Sequence, residues 1–97
     1  MVIDPGLLLK IKINLRISHN ALDGDLEDTV SSCLADLQVC GVQATPDDPL
    51  ILNAIKLYCR KEYTDDISKA AEYQKRYDAL KSCLMMASGY REEPADE

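Results

Sequence analysis

The chain contains one histidine, four well-separated glycines, and no apolar run near the roughly 20 residues that a bilayer-spanning helix needs. Each scarcity removes a class of function. His19 is the only residue that could serve a Cys-His or Ser-His-Asp arrangement, and no motif places a nucleophile beside it, so a surface or capping role is expected. The glycines are too dispersed for a loop that cradles phosphate. Asp23-Gly24-Asp25 hints at calcium, but the alternating ligands, central glycine and closing glutamate of an EF-hand are missing. No two of Cys33, Cys40, Cys59 and Cys83 form a Cys-x-x-Cys pair, and the four read as small buried hydrophobes in helices. No catalytic residue, metal site or cofactor is therefore expected.

Basic residues are also absent from one long stretch. Between Ile17 and Ile55 there are seven acids (Asp23, Asp25, Glu27, Asp28, Asp36, Asp47 and Asp48) and no lysine or arginine, which leaves ten acids to eleven bases elsewhere. The net charge of −6 argues against a basic nucleic-acid surface, and the acidity belongs to one segment. No charged region precedes an apolar segment at the start of the chain, so no secretory signal is evident and a cytoplasmic setting is expected. Ninety-seven residues suit one small domain spanning 1–97.

The residues that are present point to an all-α fold, a small antiparallel bundle of about four helices over roughly 5–14, 23–40, 48–63 and 67–87. The best-marked helix begins at Asp48-Pro49, where the aspartate can cap and proline fits the first helical position. Ile51, Ala54, Ile55, Tyr58 and Cys59 give it a broad apolar face, widened by Leu50, Leu52 and Leu57, so it should be the central helix. In the second helix Leu26, Val30, Cys33, Leu34 and Leu37 follow helical spacing, with Asp23 as N-cap, Asp25, Glu27 and Asp28 favouring the helix dipole, and Gly41 as a left-handed C-cap. Thr64-Asp65-Asp66 can cap the fourth helix. There Ile67, Ala70, Tyr73, Tyr77, Leu80, Leu84 and Ala87 form a heptad-like seam expected to pack antiparallel on the central helix. Ser88-Gly89 closes that helix, and the polar tail 90–97 reads as flexible.

The first segment gives two signals. Leu9, Ile11, Ile13, Leu15 and Ile17 alternate with Lys10, Lys12, Asn14, Arg16 and Ser18, as in a half-buried strand. Asp4-Pro5 is a helix start, however, and no other stretch alternates to pair with a strand, so a helix over 5–14 is favoured. Such a helix leaves apolar residues on more than one face, which suits contact with another subunit. Tyr58, Tyr63, Tyr73 and Tyr77 read as core residues with hydroxyls at the surface rather than as a base-stacking platform.

The order of these features goes further. A first helix leads into Leu15-Arg16-Ile17-Ser18, then comes an acidic start with Leu26, Val30 and Leu37 ending at Gly41-Val42. Asp48-Pro49-Leu50-Ile51 follows with Ala54-Ile55 and Tyr58, and a last helix carries Tyr77, Leu80 and Leu84. From about Leu7 to Tyr90 this order and spacing resembles the head-tail connector family of tailed bacteriophages and prophages, adaptors also known as DNA-packaging or head-completion proteins. The resemblance implies a structural virion assembly protein with no enzymatic activity, an all-helical subunit of a homo-oligomeric, dodecameric ring under the portal protein. That ring receives a stopper or tail-completion protein, and DNA passes through it without sequence-specific binding. The implied location is the head-tail junction of the virion, reached from the host cytoplasm, with no membrane partner. A head-to-tail ring needs two different faces, and Ile13, Leu52, Leu57, Asp25, Asp28, Lys56 and Arg60 are the candidate interface residues. Leu26, Val30, Leu34, Leu37, Ile51, Ile55, Tyr58, Tyr77, Leu80 and Leu84 are the expected core. The alternative is a small cytoplasmic regulatory module that pairs its Ala70–Ala87 seam with a partner helix.

Overall fold

The computed structural model describes residues 4–46 and 48–87; Asp47, Ser88-Gly89 and the tail 90–97 lie outside them. Four helices form, α1 (Pro5–Leu15), α2 (Asp23–Val39), α3 (Pro49–Tyr63) and α4 (Ile67–Met86), and no strand appears among the described residues. The fold is the expected small all-α bundle.

Helix α3 starts as its sequence dictates. The Asp48 carboxylate accepts the backbone N–H groups of Leu50 (2.9 Å) and Ile51 (3.4 Å), and Pro49 follows at the first helical position. Ile51, Ala54, Ile55 and Cys59 are completely buried, and α3 packs against each of the other helices. Asp66 caps α4 by accepting the Lys69 N–H at 3.1 Å. Ring and side-chain contacts set the directions of the helices. Tyr58 meets Tyr77 edge to face at 5.3 Å and Arg60 lies over Tyr73, so α3 and α4 are antiparallel. Tyr63 reaches Asp25 while Tyr77 and Lys81 reach Asp36, so α2 is antiparallel to α3 and parallel to α4.

Two helices end in the same way with different residues. After α2, the Val42 N–H donates to the Leu37 carbonyl (2.9 Å) and the Gly41 N–H to that of Gln38 (3.0 Å), with Gly41 at φ 83° and the side chains of Val42 and Leu37 fully buried. After α1, the Ile17 N–H donates to Lys12 (2.9 Å) and the Arg16 N–H to Ile13 (3.1 Å), but the left-handed position is held by Arg16 at φ 61°. A non-glycine residue there costs on the order of 1–2 kcal/mol.

Several expectations change. Asp23 is not the N-cap of α2: Leu22 holds that position without a side-chain bond, and Asp23 is the first helical residue. Leu9 and Ile13 of the alternating run point outward from a helix whose buried face is Leu7 and Ile11. Lys12 is also buried, because its ammonium reaches Asn20 (2.7 Å) and Asp23 (2.9 Å) across the α1–α2 connection. In the α4 seam Tyr77 and Leu84 are buried, whereas Ile67 is 86% exposed. The antiparallel register places Ile67 beside the α3–α4 turn, past the end of α3. Tyr58 and Leu80 are half-buried at the edge of the core rather than inside it, and the Lys61 ammonium sits 4.2 Å from the Tyr58 ring. The other expected core residues are buried, joined by Leu7, Ile11, Cys33, Val42, Ala54 and Cys59.

Ile55→Ala is expected to destabilise the protein by about 2–5 kcal/mol, measured by urea unfolding, because it leaves a cavity among helices on several sides. A loss well under about 1 kcal/mol would mean that this face is not packed within the subunit.

Candidate functional site

Two polar regions stand out. The first is a network that joins α2 to α4. The Tyr77 hydroxyl donates to Asp36 Oδ2 at 2.7 Å, the Lys81 ammonium donates to the same oxygen at 3.0 Å, and the Cys33 thiol donates to the Tyr77 hydroxyl at 3.8 Å. Burial pushes the Cys33 thiol up to about 12, as it does the Cys59 thiol, so neither supplies a thiolate nucleophile. Burial, the neighbouring Cys33 and the bond to Asp36 raise the Tyr77 phenol strongly. At Asp36 burial favours the neutral acid, but the bonds from Tyr77 and Lys81 outweigh it and the pKa falls below 3.8. At Lys81 burial acts downward, the bond to Asp36 outweighs it, and the pKa rises above 10.5. The arrangement locks the bundle and leaves no acid or base poised near neutrality.

The second region is a cleft of about 370 Å³ where the end of α1, the end of α3 and the start of α4 converge. It is lined by Asn14, Leu15, Arg16, Arg60, Tyr63, Thr64, Lys69 and Tyr73. A smaller hollow of about 230 Å³ shares Asn14, Arg60 and Tyr73 and adds Asn53, Lys56, Leu57 and Arg76. Arg60 stands between them: its Nε donates to Asn14 Oδ1 at 3.0 Å, and its guanidinium lies 5.8 Å from the centre of the Tyr73 ring. No carboxylate lines either hollow among the described residues. The Tyr63 hydroxyl is engaged elsewhere, donating to Asp25; burial, and then that bond, raise its pKa to about 12.

The candidate interface residues fall in separate places. Ile13 is 67% exposed on α1, and Asp28 is exposed on α2. Asp25, exposed at its edge, is engaged by Tyr63. Leu52 and Leu57 are half-buried against the core, so the surplus apolar surface of α3 is largely taken up inside the subunit. Lys56 and Arg60 are brought together on the hollows. Arg16, Lys69, Tyr73 and Asn14 were not among the expected site residues; the left-handed Arg16 is the one local irregularity in that group. His19 is exposed, and its Nδ1 accepts the Ala21 N–H at 3.2 Å, a local capping contact. Among the described residues no group of three His, Cys, Asp or Glu side chains could hold a metal, and no helix is long and apolar enough to cross a membrane. Cys33 and Cys59 are the buried hydrophobes expected, whereas Cys40 is half-buried and Cys83 exposed.

Comparison with known proteins returned no match to a family model, to a curated protein or to a solved structure.

Two measurements check the polar chemistry. The stabilisation from ionised Asp36 is complete above its unfolded pKa near 3.8 and is lost as pH falls through the lower folded value, while that from charged Lys81 is complete below 10.5 and is lost as pH rises through its higher folded value. Urea unfolding from neutral pH down to about pH 3 should therefore cost the wild type more stability than Asp36→Asn. In a thiol titration of the native protein with an aromatic disulfide reagent, Cys83 should react first and Cys40 more slowly, with Cys33 and Cys59 reacting only on unfolding.

Proposed function

We propose that this chain is a structural virion assembly protein, a head-tail connector subunit that forms a dodecameric ring under the portal and receives a stopper or tail-completion protein. DNA passes through such a ring without sequence-specific binding, and the protein acts at the head-tail junction after assembly in the host cytoplasm. The order and spacing of the helices support this reading. The structural observation that carries it is a set of exposed apolar side chains at one end of the bundle. The directions of the helices bring the ends of α2 and α4 beside the start of α3, and there Val39 and Met86 are more than four-fifths exposed, with Leu50 and Met85 also at the surface. Apolar side chains gathered in this way suit contact with another protein, and covering them adds to the modest stability of a small core. The alternative of a module that pairs its α4 seam with a partner has less support, because Tyr77 and Leu84 are already buried inside the subunit.

Light scattering and electron microscopy of the concentrated protein, alone and with a cognate portal, test the proposal. Rings are expected, and Leu50→Glu combined with Met86→Glu should abolish them while leaving urea stability within about 0.5 kcal/mol for these exposed positions. Monomer alone in the presence of a portal would overturn it.

A further inference from the structure

We infer that the basic cleft at the meeting point of α1, α3 and α4 binds the phosphate group of a small phosphorylated molecule. The inference does not depend on the assembly role. Its first support is charge placement. In a chain of net charge −6, Arg16, Arg60 and Lys69 from three different helix ends converge on one cleft with no carboxylate in its wall among the described residues. Like charges brought together without acids repel one another, and a multiply charged anion relieves that repulsion. Of the acids near the cleft, Asp25 accepts from Tyr63, Asp66 accepts the Lys69 N–H, Glu62 pairs with Lys61 at 3.2 Å, and Glu72 pairs with Arg76 at 2.5 Å.

The second support is preorganisation. Arg60 is held at Nε by Asn14 and across its face by Tyr73, which fixes the plane of its guanidinium. A planar, oriented guanidinium matches phosphate oxygens two at a time, which a single ammonium cannot do. Arg16 occupies a backbone position that favours glycine, so a charged residue stands on the cleft wall at a cost to local stability. Tyr63 supplies ring surface only, its hydroxyl being spent on Asp25. The third support is size. About 370 Å³ falls in the range of small-ligand sites, and the adjoining hollow of about 230 Å³ adds Lys56, room for a second anionic group on the same molecule. A long nucleic-acid strand is disfavoured by the overall negative charge.

Calorimetry and amide NMR with inorganic phosphate and then pyrophosphate, at low ionic strength, test the assignment on the full chain. Saturable binding is expected, tighter for pyrophosphate, with shifts concentrated at Asn14–Ile17, Arg60–Thr64 and Lys69–Tyr73. Arg60→Gln should weaken pyrophosphate binding roughly tenfold or more. Lys69→Gln, whose wild-type ammonium has no bond to another side chain among those described, should weaken it in a protein with unchanged circular dichroism. Lys75→Gln, outside the cleft, should leave it unchanged. The inference is overturned if pyrophosphate shows no saturation by about 10 mM. It fails equally if Lys75→Gln weakens binding as much as Lys69→Gln, or if a short oligonucleotide or a glutamate-rich peptide binds this cleft more tightly than pyrophosphate.

Discussion

Burial of Ile51, Ala54, Ile55 and Cys59 along α3 requires neighbours on more than one side, and in a chain this short each remaining helix is used to provide them. The directions of the other helices follow from that demand. The three-residue turn Thr64–Asp66 forces α4 to run back along α3, and the Tyr58–Tyr77 ring contact sets how far along it lies. The position of α2 is then fixed from two sides: Tyr63 of α3 holds its beginning through Asp25, and Tyr77 and Lys81 of α4 hold its second half through Asp36. Apolar burial supplies the drive, and a few tyrosine–carboxylate bonds choose among the registers it would permit.

Features that depend on neighbours within a turn or two of chain were legible in the sequence. Asp48-Pro49 and Gly41 are local signals with local causes, and the helices form where those signals stand. The apolar spacing of α2 likewise identified its buried side. The strand-like alternation from Leu9 to Ile17 was misleading because period two and period 3.6 share residues over a short span, and only packing selects Leu7 and Ile11 as the buried pair. In the sequence Lys12 is one polar residue among several in the alternating run; its burial depends on Asn20 and Asp23 returning after a connection that spacing alone cannot place.

The basic cleft was invisible for the same reason. Asn14 and Arg60 are 46 positions apart, and Arg16, Arg60 and Lys69 stand at the ends of three helices with nothing in their own neighbourhoods to join them. Net charge pointed only to acidity. Folding separates the charges: basic side chains gather around Arg60 while Asp23, Asp25 and Asp36 of α2 are each engaged by a lysine or a tyrosine from another helix. An acidic protein can in this way present a locally cationic surface.

Arg16 and Gly41 close two helices with the same pair of backbone bonds, so the chain contains its own comparison between an arginine and a glycine in one conformation. Glycine enters that conformation with little strain and arginine does not, so random mutation at position 16 has an easy route to a more stable protein. If natural versions of this chain keep arginine there, its charge contributes something stability does not measure. Variation at position 16 among natural versions of this chain is therefore a record of use: where the cleft still binds its anion the position should stay basic, and where that binding has lapsed glycine should accumulate.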